Sequence, residues 1–348
     1  MSRYRWNIRP PIPAEHPASA SGLSPLITQL LYNRGLTQAS QIESFITADE
    51  SLLGDPRLLP DMNQAVARIY QALLGGENIA IYGDFDVDGI TGTALLAQGL
   101  EALGARITPY IPHRLTEGHG LNTAALEQLQ QQGISLVVTA DCGITGVSPV
   151  KQARARGMDI VITDHHTPTD ELPPATAVVD PMRTDSAYPF SELAGVGVAF
   201  KLLQALYQDM GQEKQLERFL DLVALGTVAD MMPLQAENRY LVREGLKQLN
   251  KAPRAGIREL MTVAGLGMDS LGAEDISWVL APSLNAAGRL EHAMSSYRLL
   301  VTESPQEAHE LAVWLGEKNA QRQSMTARAL TKARKKILAK GISALLLT

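Results

Sequence analysis

Between Asn78 and Asp180 the apolar positions fall into two alternating patterns. Short, almost unbroken apolar runs occur at NIAIYG (78–83), RITPYI (106–111), SLVVTA (135–140), DIVIT (159–163) and ATAVVD (175–180). Between the first four lie GITGTALLAQGLEALG, TAALEQLQQQG and SPVKQARARG, whose apolar residues recur at helical spacing. Runs with no polar alternation are strands covered on both faces. Strands alternating with helices of about 10–15 residues predict the α/β class, a doubly wound parallel sheet.

The pattern differs on either side. The first 60 residues are rich in Pro, Ser and polar residues, with one helical stretch around Leu26–Tyr32. From Leu193 the chain reads as all helical, through LAGVGVAFKLLQALYQDMG and LERFLDLVALGTVAD to about Arg298. The segment from Pro305 to Lys340 has no internal Pro and a single Gly. As one helix it reaches about 54 Å, the length of an element bridging two bodies. Ala308, Leu311, Ala312 and Leu315 mark an apolar stripe at its start, and Leu330, Ala333 and Ile337 another near its end. The expected division is a leader (1–60), an α/β core with the site (61–190), a helical subdomain completing it (191–303), a long connecting helix (304–340) and the first strand of a further domain (341–348).

Composition narrows the picture. No apolar stretch reaches the roughly 18 residues of a membrane span, and the start, MSRYRWNIRPP, lacks a signal-peptide core. A single cysteine, Cys142, excludes an internal disulfide and suits a reducing compartment. These features point to a cytoplasmic protein with no membrane partner. The net charge of -6 argues against a broad basic coat for nucleic acid, though not against nucleic acid as a substrate.

Chemistry collects at the strand ends, where ligands bind in open α/β sheets. The first strand runs into GDFDVDG, with Asp84, Asp86 and Asp88; SLVVTA ends at Asp141; DIVIT ends at Asp164, His165 and His166. Asp230 closes the apolar run LGTVAD. Carboxylates crowded in this way need cations, and oxygen ligands with one or two imidazoles suit Mg²⁺ or Mn²⁺, Mn²⁺ the more for its histidines. Two ions bridged by a shared carboxylate are the apparatus of phosphodiester hydrolysis.

Each motif also has a plainer reading. DxDxDG alone is a turn, and as a calcium loop it lacks the required Glu, since position 95 is Leu95. DHH alone is a helix cap with two surface histidines. It is their joint placement at successive strand ends that favours a metal site. Cys142 is expected as a small buried residue; His16, His292 and His309 as surface or satisfied histidines. His113 and His119 stay open.

The segments LLYNRGLTQASQIESFI, DPRLLPDMNQAVARI, IYGDFDVDGITGTALL, YIPHRLTEGHGLN, VVTADCGI, VITDHH, LGTVADMMPL and LNAAGRL together resemble the RecJ-like single-strand-specific DNA exonucleases of the DHH phosphoesterase superfamily. The resemblance implies a 5′→3′ exonuclease of DNA repair and recombination using two Mn²⁺ or Mg²⁺ ions. It implies Asp86, Asp88, Asp141, His165 and Asp230 as main metal ligands, Asp141 as the bridge, and Asp84 as a ligand or the orienter of one. His166 would contact the scissile phosphate as stabiliser or acid. Arg114 and Arg289 would bind phosphates of the strand, with Asn285 and the Gly288 turn shaping that contact. Single-stranded DNA is the implied substrate, and a single-strand-binding protein and a helicase the implied partners.

Two departures stand out. LNAAGRL follows Pro282–Ser283 where the family usually has Pro-Arg, which removes a basic contact. The family also continues past the long helix into a DHH-associated domain and an oligonucleotide-binding barrel. Two other readings remain: a phosphodiesterase of short oligonucleotides or cyclic dinucleotides, and a non-catalytic scaffold of the same fold.

Overall fold

The computed structural model describes residues 7–13, 16, 22–251, 254–267 and 270–339; the expected strand at 341–348 lies outside them. The leader forms α1 (Pro25–Asn33) and a second helix, α2 (Ala39–Thr47), absent from the sequence expectation. Helix α2 is short, and its signal is the Gln38–Gln41 capping box rather than a long apolar stripe. Leu31 and Ile42 form a small core of their own with Leu23, Leu36 and Phe45 packed against it.

After α3 (Met62–Gly75) come β1 (Asn78–Gly83), α4 (Val87–Ala102), β2 (Arg106–Tyr110), α5 (Thr123–Gln131), β3 (Ile134–Ala140), α6 (Val147–Ala155), β4 (Asp159–Thr163) and β5 (Ala177–Val179). All four strand pairings are parallel, in the order β2-β1-β3-β4-β5. The predicted doubly wound sheet is therefore present. Its topology reverses between β1 and β3, and a crevice opens at such a switch point beyond the carboxyl ends of the strands.

The two-residue period of a strand sorts side chains between two cores. Ile79, Ile81, Leu136, Val138 and Val161 enter the large core. Ala80, Tyr82, Val137, Ile160 and Ile162 enter the smaller one beneath α5 and α6. The large core continues into α7 (Gly195–Asp209), α8 (Leu220–Ala229), α9 (Ala236–Lys251) and α10 (Ala255–Ala264). A short α11 (Ala273–Asp275) runs through a π-helical turn, Ile276–Leu280, into α12 (Ala281–Leu290), followed by α13 (Met294–Val301).

The long segment is one helix, α14 (Pro305–Ala339). Ala308, Ala312 and Leu315 bury its first stripe, whereas Leu330 of the second is exposed. Among the described residues no helix is long and apolar enough to cross a membrane.

Candidate metal centre

The acidic residues reach the crevice by several local devices. Asp84 follows the last residue of β1 and Asp141 that of β3, the two strands flanking the switch point. Asp84 N–H donates to the Ala140 carbonyl at 3.3 Å, and Asp141 N–H to Thr163 at 3.1 Å. These bonds carry the ladder one residue past each strand. Asp141 adopts φ 63°, a left-handed conformation unfavourable for a residue with a Cβ. Such strain persists where the surroundings over-determine it.

Asp86 caps α4, its carboxylate accepting from the N–H groups of Asp88 and Gly89 at 3.0 and 3.3 Å. Asp88 is buried, and its two oxygens accept from Gly195 N–H (2.6 Å) and Val196 N–H (2.9 Å) at the start of α7. The free N–H groups and positive dipole end of a helix suit a buried carboxylate. Asp230 is the C-cap of α8.

His165 joins the elements. Its Nε2 is 3.1 Å from Asp141 Oδ1, 3.7 Å from Asp88 Oδ2 and 3.7 Å from Asp230 Oδ2. Three sets of side chains bring ligand atoms within 4.8 Å of one another: Asp84, Asp86 and Asp141; Asp88, His165 and Asp230; and Asp141, His165 and His166. Every residue expected as a metal ligand falls in at least one set, and Asp141 falls in two.

Asp164 does not join them. Its Oδ1 accepts from His165 N–H (2.7 Å) and His166 N–H (3.2 Å) and lies 2.8 Å from His166 Nδ1, while Oδ2 accepts from Ile144 N–H (2.9 Å). It orients the histidine pair.

Proton affinities follow from this packing. Burial, then Asp86, raises Asp84 to about 6, and the same causes raise Asp230 to about 6. Burial also drives Asp88 and Asp141 well above the carboxylate range, each with neighbouring aspartates adding to it. Burial and the adjacent His166 lower His165 to about 4, so its imidazole is neutral at pH 7. The Asp164 hydrogen bond raises His166 to about 9, outweighing burial. Asp164 itself is lowered: burial opposes ionisation, but the bonds and charge of His166 prevail.

The donor set fits divalent cations. Asp84 Oδ1 and Asp141 Oδ1 are buried and accept no hydrogen bond among the described residues. A buried carboxylate oxygen in that state is costly unless a cation faces it.

The rim carries the expected basic residues. The Arg114 guanidinium lies 4.7 Å from the Phe85 ring centroid. Partial burial and the charges of Arg114 and Arg322 lower Arg289. Three guanidiniums thus gather near the centre, the third from α14, where nothing in the sequence singled it out. Arg322 donates to Asn319 Oδ1 at 3.1 and 2.9 Å, and Asn319 Nδ2 donates to Ser283 Oγ at 3.2 Å. Asn285 Oδ1 accepts the N–H of Val87, between Asp86 and Asp88, at 3.1 Å. Gly288 is required by close approach, since a Cβ there would sit 2.6 Å from the Phe85 carbonyl.

The remaining candidates are settled locally. Cys142 is buried, with its sulfur 3.6 Å from the Tyr82 carbonyl. His309 pairs with Glu259 at 2.9 Å, His16 stacks edge-on against Tyr32, and His292 Nδ1 accepts from Met294 N–H. His113 Nδ1 accepts the N–H groups of Leu115 and Thr116 in a turn. His119 belongs to the site: its Nε2 is 3.5 Å from Asp84 and its ring 5.9 Å from that of His166.

Residues 78–227 match the family model described as the DHH family, N-terminal domain. A solved structure of exonuclease RecJ bound to manganese superposes with a TM-score of 0.73 at 38% identity, over 79% of this chain and 69% of that one. The chain belongs to the RecJ branch of the DHH family. A second RecJ structure, from Thermus thermophilus in complex with Mn²⁺, gives a TM-score of 0.77 at 33% identity, covering 91% of this chain and 45% of that one. The single-stranded-DNA-specific exonuclease RecJ of Bacillus subtilis (strain 168) is 38% identical over 343 residues, which is 98% of this chain and 43% of that protein. The chain thus spans less than half the length of that RecJ relative.

Proposed function

We propose that this chain carries the catalytic centre of a single-strand-specific DNA exonuclease, hydrolysing phosphodiester bonds 5′→3′ with two Mn²⁺ or Mg²⁺ ions. The observation supporting it most directly is the meeting of two ligand sets at the Asp141–His165 contact. Asp84, Asp86 and Asp141 would hold one ion, Asp88, His165 and Asp230 the other, with Asp141 reaching both. Bound there, such ions supply Lewis acidity at the phosphate and make an attacking water acidic.

The chain's own residues do the rest. His165 keeps a neutral imidazole, the state in which a nitrogen lone pair can ligate. His166 stays cationic at neutral pH and offers its charge to a phosphate oxygen, or a proton to the leaving oxygen. Arg114 and Arg289 present planar forks suited to phosphates. Asn285 fixes the loop between Asp86 and Asp88. The division into leader, α/β core, helical subdomain and connecting helix belongs to the same proposal, as do a single-strand-binding protein and a helicase as partners.

The test is digestion of 5′-labelled single-stranded DNA, duplex DNA and short RNA with and without Mn²⁺. Mononucleotides released from the single strand only with metal support the reading. Cleavage confined to two- to five-mers would favour a short-oligonucleotide phosphodiesterase, and failure to bind divalent metal a scaffold.

A further inference from the structure

A second group of arginines gathers where the leader helix α2 meets the start of α9. The Arg239 guanidinium lies 3.6 Å from the Phe45 ring centroid, and its Nε donates to the Phe45 carbonyl. That stacking fixes the plane of the fork and leaves its terminal nitrogens with no hydrogen bond or ion pair among the described residues. Arg34 stands near it, exposed, and its side chain likewise has no partner among those residues. Burial, Arg243 and Arg34 together lower the proton affinity of Arg239. Arg243 is already engaged, paired with Glu244 at 2.9 Å and donating to the Thr47 carbonyl. Arg34 and Arg239 thus remain near each other with no counter-charge among the described residues.

They border a hollow. A cavity of about 510 Å³ is lined by Arg34, Leu36, Phe45, Leu234, Gln235 and Arg239. A second, of about 470 Å³, shares Leu36, Phe45 and Gln235 and continues over Ser40, Gln41, Ser44, Leu52 and Phe190. Among the described residues Glu192 is the one carboxylate lining either, and it lies in the second. The two cavities adjoin at those three residues, one bordered by the arginines and the other mostly apolar and edged by hydroxyl and amide groups.

Like charges held together favour an anion between them, and a guanidinium fork matches phosphate oxygens. A mostly apolar groove with a few polar groups at its edge fits a flat heterocycle that is also hydrogen-bonded at its rim. Inorganic phosphate would leave that groove unused. A nucleic-acid strand would demand further cations along it, where Glu192 stands instead. We propose that Arg34 and Arg239 hold the phosphate of a mononucleotide whose base lies in the adjoining groove beside Phe45 and Phe190. The hollow shares no residue with the aspartate–histidine centre. It touches the centre's frame, because Leu234 and Gln235 end the short segment that leaves Asp230.

The test is calorimetric titration of the whole chain with AMP in excess EDTA, which takes any divalent-cation route to the centre out of play. Saturable binding of one nucleotide per chain is expected, weakened on the order of tenfold or more by Arg34→Ala or Arg239→Gln. It should be unchanged in Asp141→Asn. Arg34→Ala decides the matter, because that side chain is exposed and holds nothing else in place; a matching melting temperature shows it folded. No binding in EDTA, or binding indifferent to Arg34→Ala, overturns the proposal. So does inorganic phosphate binding as tightly as AMP, or an acidic peptide displacing AMP as the better ligand. Because no metal and no turnover are involved, this experiment can fail while the exonuclease reading stands, and the reverse.

Discussion

His166 Nδ1 lies 2.8 Å from Asp164 Oδ1, and this bond separates the roles of two adjacent histidines. Both imidazoles are in the same crevice with ring centroids 4.6 Å apart. One gains a buried carboxylate and is raised to about 9; the other is desolvated beside that cation and falls to about 4. A neutral and a cationic imidazole thus come from neighbouring positions, as the proposed ligand and phosphate contact require. The leading Asp of the DHH motif produces the difference through its hydrogen bonds to both histidines.

Replacing Asp164 by Asn should therefore lower turnover on the order of 10–100-fold, as loss of an orienting partner does. The alkaline limb of the rate profile should move down from about 9 towards the ordinary histidine value of about 6.5. A pH series of kcat for the two proteins checks this. An alkaline limb that stays in place would remove His166 as the titrating group.

The crowded carboxylates make a second prediction, about stability. Asp84 and Asp230 are each raised to about 6 from 3.8, so the folded state binds more protons than the unfolded one between those values. Their contribution is present below about 4 and lost as pH rises through about 6. Asp88 and Asp141 act in the same direction. His165, lowered to about 4, opposes them up to about 6.5, as one group against four. Metal-free protein should melt lower at pH 7 than at pH 5, and Mn²⁺ should raise Tm more at pH 7. Thermal scans in EDTA and in Mn²⁺ at both pH values measure the difference; an equal metal effect would count against these carboxylates as ligands.

Gly195 sits between Asp88 and Asp141, two of the proposed ligands. Its N–H holds Asp88, and a Cβ added there would lie 2.4 Å from Asp141 Cβ and 2.6 Å from its Oδ1. Gly195→Ala must push Asp141 aside or rotate the start of α7. We expect about 1–3 kcal/mol of destabilisation and a larger proportional loss of Mn²⁺ affinity, read by titration at a temperature where the variant is folded. Unaltered metal affinity would place Asp141 outside the binding shell.

The strand-end aspartates were legible because buried parallel strands announce themselves as apolar runs, and the residue after each run has one place to go. Asp230 was legible for the same reason, at the end of the apolar run VALGTVA within the largely buried α8. Side-chain direction was not. Asp164 follows β4 as Asp141 follows β3, yet one turns to the ligand cluster and the other to the backbone of Ile144 and the histidines. The cradle of Asp88 lies 107 residues away at Gly195, a pairing no local pattern carries. Arg322 was missed because its place depends on how α14 packs, and α2 because it lies in a leader dominated by Pro, Ser and polar residues.

Asn285 and Arg289, four residues apart on α12, should separate cleanly in kinetics. Asn285 Oδ1 accepts the Val87 N–H inside the DxDxD loop, so Asn285→Ala leaves that donor unpaired, at a cost of about 1–3 kcal/mol. The loop that positions Asp86 and Asp88 loosens, and kcat falls with little change in KM. Arg289 has no ion pair among the described residues and stands with Arg114 and Arg322, so Arg289→Gln should raise KM for a single strand on the order of tenfold while kcat holds. Steady-state kinetics on one labelled oligonucleotide distinguish the two patterns. A KM effect in Asn285→Ala, with kcat intact, would return Asn285 to the substrate-binding surface.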